Sequence, residues 1–370
     1  MAYGTINADV IQSSVTGVSL GAGNATVFKN RIINGDMRID QRNAGASGTA
    51  INSYTVDRWG YAASQSSKGT WQQNAGSVTP PVGYTNYLGF TSSSAYTVGA
   101  SDYFMFFQYI EGYNVADLAW GTANAKTVTL SFQVYSSLTG TFGGSLNNSA
   151  NTQNYPFSYS ISVANTWTTI SVTIAGSTTA TWLTTSGIGL MVRLSLGAGS
   201  TYSGTAGSWS ATQYFTVTSA VSVVGTNGAT FYITGVQLEV GSSATGFEFR
   251  DFGNELIKCQ RYYQQIGGNS FGGNPLYPII GNGFAFSTTQ CDIYVPLRVT
   301  MRTTPTITSS VTAVQVAATP YAVTSVADVG STYNTMFLRI STAGTFVTGT
   351  GALWSGSNSA TSYGAFSSEL

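Results

Sequence analysis

The 370-residue chain contains no histidine. That absence excludes Ser-His-Asp and Cys-His nucleophilic catalysis, HExxH-type zinc sites and imidazole acid-base chemistry. Charge is scarce as well: Asp, Glu, Lys and Arg make up 8% of the residues, against about 25% in an average soluble domain. The formal net charge is zero, so no electrostatic footprint for nucleic acid or an anionic membrane is present. No apolar run approaches the roughly 18 to 20 residues of a membrane helix, and no membrane insertion is expected. Cys259 and Cys291 are too few for a disulfide framework and sit at no metal-ligand spacing. Two buried free thiols, no metal and no cofactor are expected. The opening stretch MAYGTINADVIQSS has neither the basic nor the apolar region of a secretory signal, which fits synthesis in a reducing cytosol.

Gly, Ser, Thr and Asn occupy the space that Lys and Glu fill elsewhere, a composition that disfavours helices and suits strands joined by tight turns. Disorder is the competing reading of such a chain. With 22 Tyr, 19 Phe, seven Trp and 42% hydrophobic residues, the chain carries more apolar surface than disordered segments do. At this length two or three folded units are expected.

Period-two alternation marks the strands. TVTLSFQV places Val128, Leu130, Phe132 and Val134 on one face, TISVTI does the same with Ile170, Val172 and Ile174, and IGLMVRLSL turns Ile188, Leu190, Val192, Leu194 and Leu196 inward and Arg193 outward. In ATFYITGVQLEV the phase set by Phe231 and Ile233 flips at Thr234-Gly235, so that Val236, Leu238 and Val240 carry it on. One inserted residue is a β-bulge, and glycine tolerates its backbone angles. Gln237 and Glu239 then face away from the core.

The pattern predicts an all-β fold in four parts. Residues 1–29 form an extended N-terminal attachment arm, and 30–250 a jelly-roll-like β-sandwich. A connector helix over 251–267 is read from the spacing of Leu256, Cys259, Tyr263 and Ile266, with Asp251 or Asn254 as cap and Gly267-Gly268 as stop. Residues 268–370, with CDIYVPLRVTMRTTPTITSS and TMFLRIST, read as a second, smaller sandwich, and the receptor contact is expected there.

Catalytic signals are weak. GAGNATVFK has glycines but neither the spacing of a phosphate loop nor a following helix. Glycoside hydrolysis needs only two carboxylates, and Asp102, Glu111 and Asp117 are the candidates, though solvated loop or strand-end acids are the plainer reading. Aromatics are the richer vein, because sugars lie against flat aromatic faces while a few polar groups fix the hydroxyls. Tyr333, Trp354 and Tyr363, flanked by Gly, Ser and Asn in loops expected to be exposed, are the glycan- or receptor-contact candidates.

Of 28 charged residues, eight fall in 29–58 and seven in 239–261. Mixed clusters bracketing a nearly uncharged domain predict that its two ends meet. Asp36, Arg38, Asp57 and Arg58 are expected to pair with Glu239, Glu248, Arg250 or Asp251 in a structural seam that fixes register.

The same segments carry a resemblance. KNRIINGDMRIDQRNAG, YTVDRWGY, YITGVQLEVGSSATGFEFRDFGNELIKCQRYYQQ and VPLRVTMRTTPTIT, in this order, with the closing FSSEL, resemble a recurrent pattern in tail-fibre and related appendage proteins of tailed bacteriophages. The resemblance spans roughly residues 5 to 308. It implies a virion structural protein that contacts a host receptor or glycan, with a jelly roll similar to carbohydrate-binding modules, and it supplies no set of sugar-contacting residues. A non-enzymatic tail-fibre subunit is therefore expected, attached to the phage tail or another virion protein through residues 1–29. It is expected to be a homo-oligomer, a trimer, and because no long helix is available for oligomerisation, association is expected to use sheet faces and the arm. A capsid-surface decoration fibre and a glycan depolymerase are the alternatives.

Overall fold

The computed structural model describes residues 29–267, 279–311, 313–355 and 362–370. Residues 1–28 of the expected arm lie outside them.

Two antiparallel sheets face each other in the larger unit. In spatial order, one holds Ser53–Tyr54, Gly60–Ala63, Tyr103–Glu111, Ile188–Ala198, Gly140–Asn147 and Asn154–Ile161. The other holds Gly69–Gln73, Leu88–Ser92, Thr230–Val240, Val128–Ser136 and Thr168–Ile174. Because side chains alternate across a strand, each sheet contributes one apolar face. Phe104, Phe106, Leu190, Val192 and Leu194 of the first meet Phe90, Leu130, Phe132, Val134 and Phe231 of the second in one buried core. The sandwich is as the alternation predicts.

The bulge is also where the sequence places it. Thr234 pairs with Gln133 but Gln237 with Ser131, and Gly235 between them has φ +60°. Both halves of the strand therefore keep their apolar side in the core as far as Leu238, while Val240, expected inward, is exposed where the strand runs out. Gln237 and Glu239 face the other way, as expected, yet they are buried beneath the segment after the strand: Glu239 accepts from Gln237 Nε2 and the Thr245 amide, both at 2.8 Å.

Arg193 faces away from the core as read, but it too is buried, under Phe215. The segment from Ser200 to Val217 folds back over this sheet and closes a short parallel pair, Ser203–Gly204 with Thr216–Val217.

The helix is shorter than its spacing suggested. It runs Phe252–Gln260, with the Asp251 side chain accepting from the Asn254 amide at 3.0 Å as its cap. Tyr263–Gly267 is instead a strand paired with Tyr363–Ser367. The apolar spacing through Tyr263 and Ile266 matched a helix by coincidence; aromatic and β-branched residues with a waiting partner strand take the sheet.

The smaller unit closes on itself. Ile279–Ala285, Gln290–Pro296, Thr335–Thr342, Thr319–Asp328, Ala313–Val316 and Gly351–Ser355 form a six-stranded barrel in that order. Ile293, Val295, Val314, Met336, Leu338 and Ile340 fill it. The all-β class thus holds, with a barrel where a second open sandwich was expected; closure removes exposed sheet edges. Tyr363–Ser367 lies between Tyr263–Gly267 and Thr306–Ser309 in a separate three-stranded sheet. Cys259 and Cys291 are free and buried. Among the described residues no helix is long and apolar enough to cross a membrane.

Candidate functional site

The three aromatics chosen from sequence do not form a site. Tyr333 is exposed, at 55% of its full surface. Trp354 is fully buried inside the barrel, so its assignment to an exposed receptor loop is wrong. GALWS reads as loop because Gly and Ser flank it, but Ala352 and Trp354 both turn inward on the strand Gly351–Ser355. Tyr363 is half-buried at the start of its strand, opposite Gly267.

The charge seam exists, with different partners. Arg250 carries it: its guanidinium pairs with Glu248 at 2.9 Å and Glu255 at 3.1 Å. It also donates to the Asn30 and Ile32 carbonyls. The Asn30 amide returns a bond to Glu248 at 2.7 Å, and Arg38, paired with Asp36 at 3.0 Å, donates to the Arg250 carbonyl. The two ends of the sandwich therefore meet as expected. Asp57 and Arg58 do not join them. Arg58, with φ +69°, turns to pair with Glu369 and lies 3.6 Å over the Tyr262 ring. Asp57 accepts from the Gln41 amide at 2.9 Å and from the Gln41 side chain. Glu239 is held by its own adjoining loop and Asp251 caps the helix, so neither pairs across the seam. A carboxylate in FSSEL, outside both clusters, takes the arginine.

The three candidate acids are each tied into structure. Asp102 accepts from Tyr96 Oη at 2.6 Å, Ser64 Oγ at 2.8 Å, the Gly99 amide at 2.9 Å and Gln65 Nε2 at 3.0 Å. These bonds, the Tyr96 hydroxyl first, hold its pKa down to about 2. Glu111 forms a two-point pair with Arg261, at 2.6 and 2.8 Å, and accepts from Tyr262 Oη at 2.6 Å. Burial pushes its pKa up, but the Arg261 and Tyr262 bonds outweigh burial and leave it below the usual carboxylate range. Asp117 is half exposed and pairs with Arg31 at 2.7 Å.

An apolar pocket that sequence reasoning did not find opens at one end of the sandwich. Two loops build it: 112–122 leaves one strand of the six-stranded sheet and 177–187 enters its neighbour. Backbone bonds staple them together, Gly112 to the Gly187 carbonyl at 2.8 Å, Tyr113 to Thr185 at 3.0 Å and Gly121 to Ser177 at 2.7 Å. Between them lies a cavity of about 170 Å³ lined by Val115, Leu118, Trp120, Trp182, Leu183 and Leu190. Such a volume matches one ring-sized group, since a cavity of about 150 Å³ admits benzene. Trp120 and Trp182 stand at 80° with centroids 4.8 Å apart, and Trp209 packs at right angles to both. The indole N–H groups are used internally, donating to the Lys126 carbonyl at 2.7 Å from Trp120 and to the Thr179 carbonyl at 3.1 Å from Trp182, so neither is left to donate into the cavity. Thr122 and Thr184 line its exposed side. DLAWG and ATWLTTSG each show a tryptophan in a Gly- or Thr-rich loop, the same signal that drew attention to Trp354. Nothing local says that these two loops join.

No protein-family model matches the chain, and no curated protein matches it. Solved structures share its shape distantly. The tailspike protein 4 enzymatically active domain of bacteriophage CBA120 is similar over 57% of this chain and 21% of its own, at 11% identity and a TM-score of 0.31. A family 11 carbohydrate-binding module from Clostridium thermocellum, in complex with a mixed-linked tetrasaccharide, matches 55% of this chain and 98% of its own at 12% identity and TM-score 0.28. The module TmCBM61, in complex with galactotriose, matches 58% and 99% at 8% identity and TM-score 0.29.

Proposed function

We propose that this protein is a non-enzymatic appendage subunit of a phage virion, a tail fibre, whose sandwich holds a glycan of the host surface. The Trp120–Trp182 corner carries the reading. Two tryptophans lining a ring-sized apolar space suit the C–H face of one sugar residue, and the Thr184 hydroxyl suits its rim. The order of the framework motifs supports the virion setting, as a homotrimer anchored through residues 1–29. A capsid-surface decoration fibre would use the same chemistry. Against a depolymerase stands the state of the acids. A general acid needs a raised pKa, whereas Asp102 and Glu111 are both held low and engaged by structural donors.

Truncating a stacking aromatic at a binding site costs roughly 2 kcal/mol, about thirtyfold in affinity. Trp182→Ala should therefore lose adsorption to host cells by about that factor while melting cooperatively. Adsorption unchanged in this variant would move the glycan contact elsewhere.

A further inference from the structure

Arg193 is the one charge between Lys126 and Glu239, and it sits in the middle of a strand with 4% of its surface exposed. Phe107 lies beside it on one neighbouring strand and Ser145 on the other. Its Nη2 donates to Asn151 Oδ1 at 3.0 Å and touches Met191 Sδ at 3.3 Å. Beyond these contacts its remaining N–H bonds are buried, with the Tyr109 hydroxyl as their one side-chain partner, fewer acceptors than native interiors supply.

Its surroundings do not supply the missing charge. Among the described residues no carboxylate pairs with it; the groups that favour its cation are the phenols of Tyr109 and Tyr103. The other deeply buried arginine, Arg58, has Glu369. Arg302, which also lacks a salt bridge, spends its nitrogens on the carbonyls of Ser186, Ser368 and Glu369. Burial lowers the Arg193 pKa to about 10, which still leaves a cation at neutral pH.

The guanidinium lies 4.6 Å from the centroid of Phe215. Phe215 stacks on Tyr202 at 4.5 Å, and Tyr103 meets both edge-on. Tyr103, Tyr109 and Tyr202 are each part-exposed, so an aromatic rim stands between solvent and the buried guanidinium. The hydroxyl of Thr216, next to Phe215 in the chain, is a further buried group without a partner.

We propose that Arg193 anchors an anionic group, a carboxylate or phosphate, of a glycan whose ring lies against the Tyr103, Tyr109 and Tyr202 rim. Resting on the glycan-holding role proposed above, it adds the substrate class, an acidic sugar, and a second place on the sandwich. A carboxylate or phosphate oxygen accepts several N–H bonds at once, which is what the open guanidinium positions require.

The test is titration calorimetry of the full chain with a glucuronate oligosaccharide, its carboxyl-reduced neutral counterpart, and glucose 1-phosphate. The acidic sugar should bind at least tenfold more tightly than the neutral one, and Arg193→Met should erase that preference. A stronger response to glucose 1-phosphate would make phosphate the anion, and a stronger response to glucuronate carboxylate. Equal affinity for acidic and neutral sugars, or a preference that survives in Arg193→Met, overturns the inference and leaves the Trp182 pocket untouched. Conversely, Trp182→Ala without effect beside a preference lost in Arg193→Met would sink the pocket and keep this site. Should the Met variant fail to fold, the Arg193 Nε–H resonance of the wild type decides: unmoved by saturating sodium glucuronate, it overturns the proposal.

Discussion

At the scale of single residues, burial sets the behaviour of the few charges. Asp57 is fully enclosed, and burial raises its pKa to about 7 against the opposing pull of Arg42 and the Gln41 bonds. An unfolded aspartate titrates near 3.9, so the native state holds the proton more tightly than the unfolded chain does. This residue therefore favours folding at low pH, and its contribution is lost as pH rises from about 4 to about 7. Asp57→Asn removes the titration. The unfolding free energy of the variant minus that of the wild type, from urea melts at successive pH values, should rise across this window and level off above it. A flat difference would mean that the carboxylate ionises freely in the folded protein.

At the scale of elements, alternation was legible wherever a strand had one clean apolar face. TVTLSFQV and IGLMVRLSL carry the expected residues inward, with Ile188 at the strand's start only half-buried, TMFLRIST is a strand as read, and the phase flip at Gly235 located a bulge from sequence alone. Reading failed where two patterns overlap. RYYQQIG continues the helical spacing of the segment before it, and only a strand a hundred residues further on decides for the sheet. GALWS is too short for its alternation to outweigh the glycines and serines around it. Its burial makes a different prediction from a surface role: Trp354→Ala empties part of the barrel core and should cost about 3 to 5 kcal/mol. Guanidinium unfolding would show this as a lowered midpoint, and a variant as stable as the wild type would put the indole outside the core.

At the scale of the complete chain, ion pairs and hydrogen bonds join the sandwich to the helix end and the C-terminal residues. Glu111 on the six-stranded sheet holds Arg261 and Tyr262, Gln41 donates to the Tyr263 carbonyl at 3.0 Å, and Glu369 takes both Arg42 and Arg58. The clustering of charge in the sequence told that seams exist, but a lone acid far from either cluster gave no sign that it completes one. Removing one partner of a buried pair typically costs about 3 to 5 kcal/mol. Glu369→Ala leaves Arg58 enclosed without a carboxylate, so it should lower the melting temperature and split the calorimetric transition into separate sandwich and barrel events. A single unshifted peak would show the junction to be held by packing alone. Assembly is a separate matter. Mass photometry should give three copies of the full chain, and a monomer with residues 1–30 intact would count against a homotrimer.

Arg58 and Glu369 are 311 residues apart in the chain. A ribosome adding about 5 to 20 residues per second needs roughly 15 to 60 seconds to travel that distance. Even after Thr230–Val240 has emerged and the sandwich can close, its arginine still waits for a counter-ion that does not yet exist. A product cut short before Glu369 would keep that vacancy permanently. Quality control could then tell it from a finished subunit by the loosened junction, before any appendage is built from it.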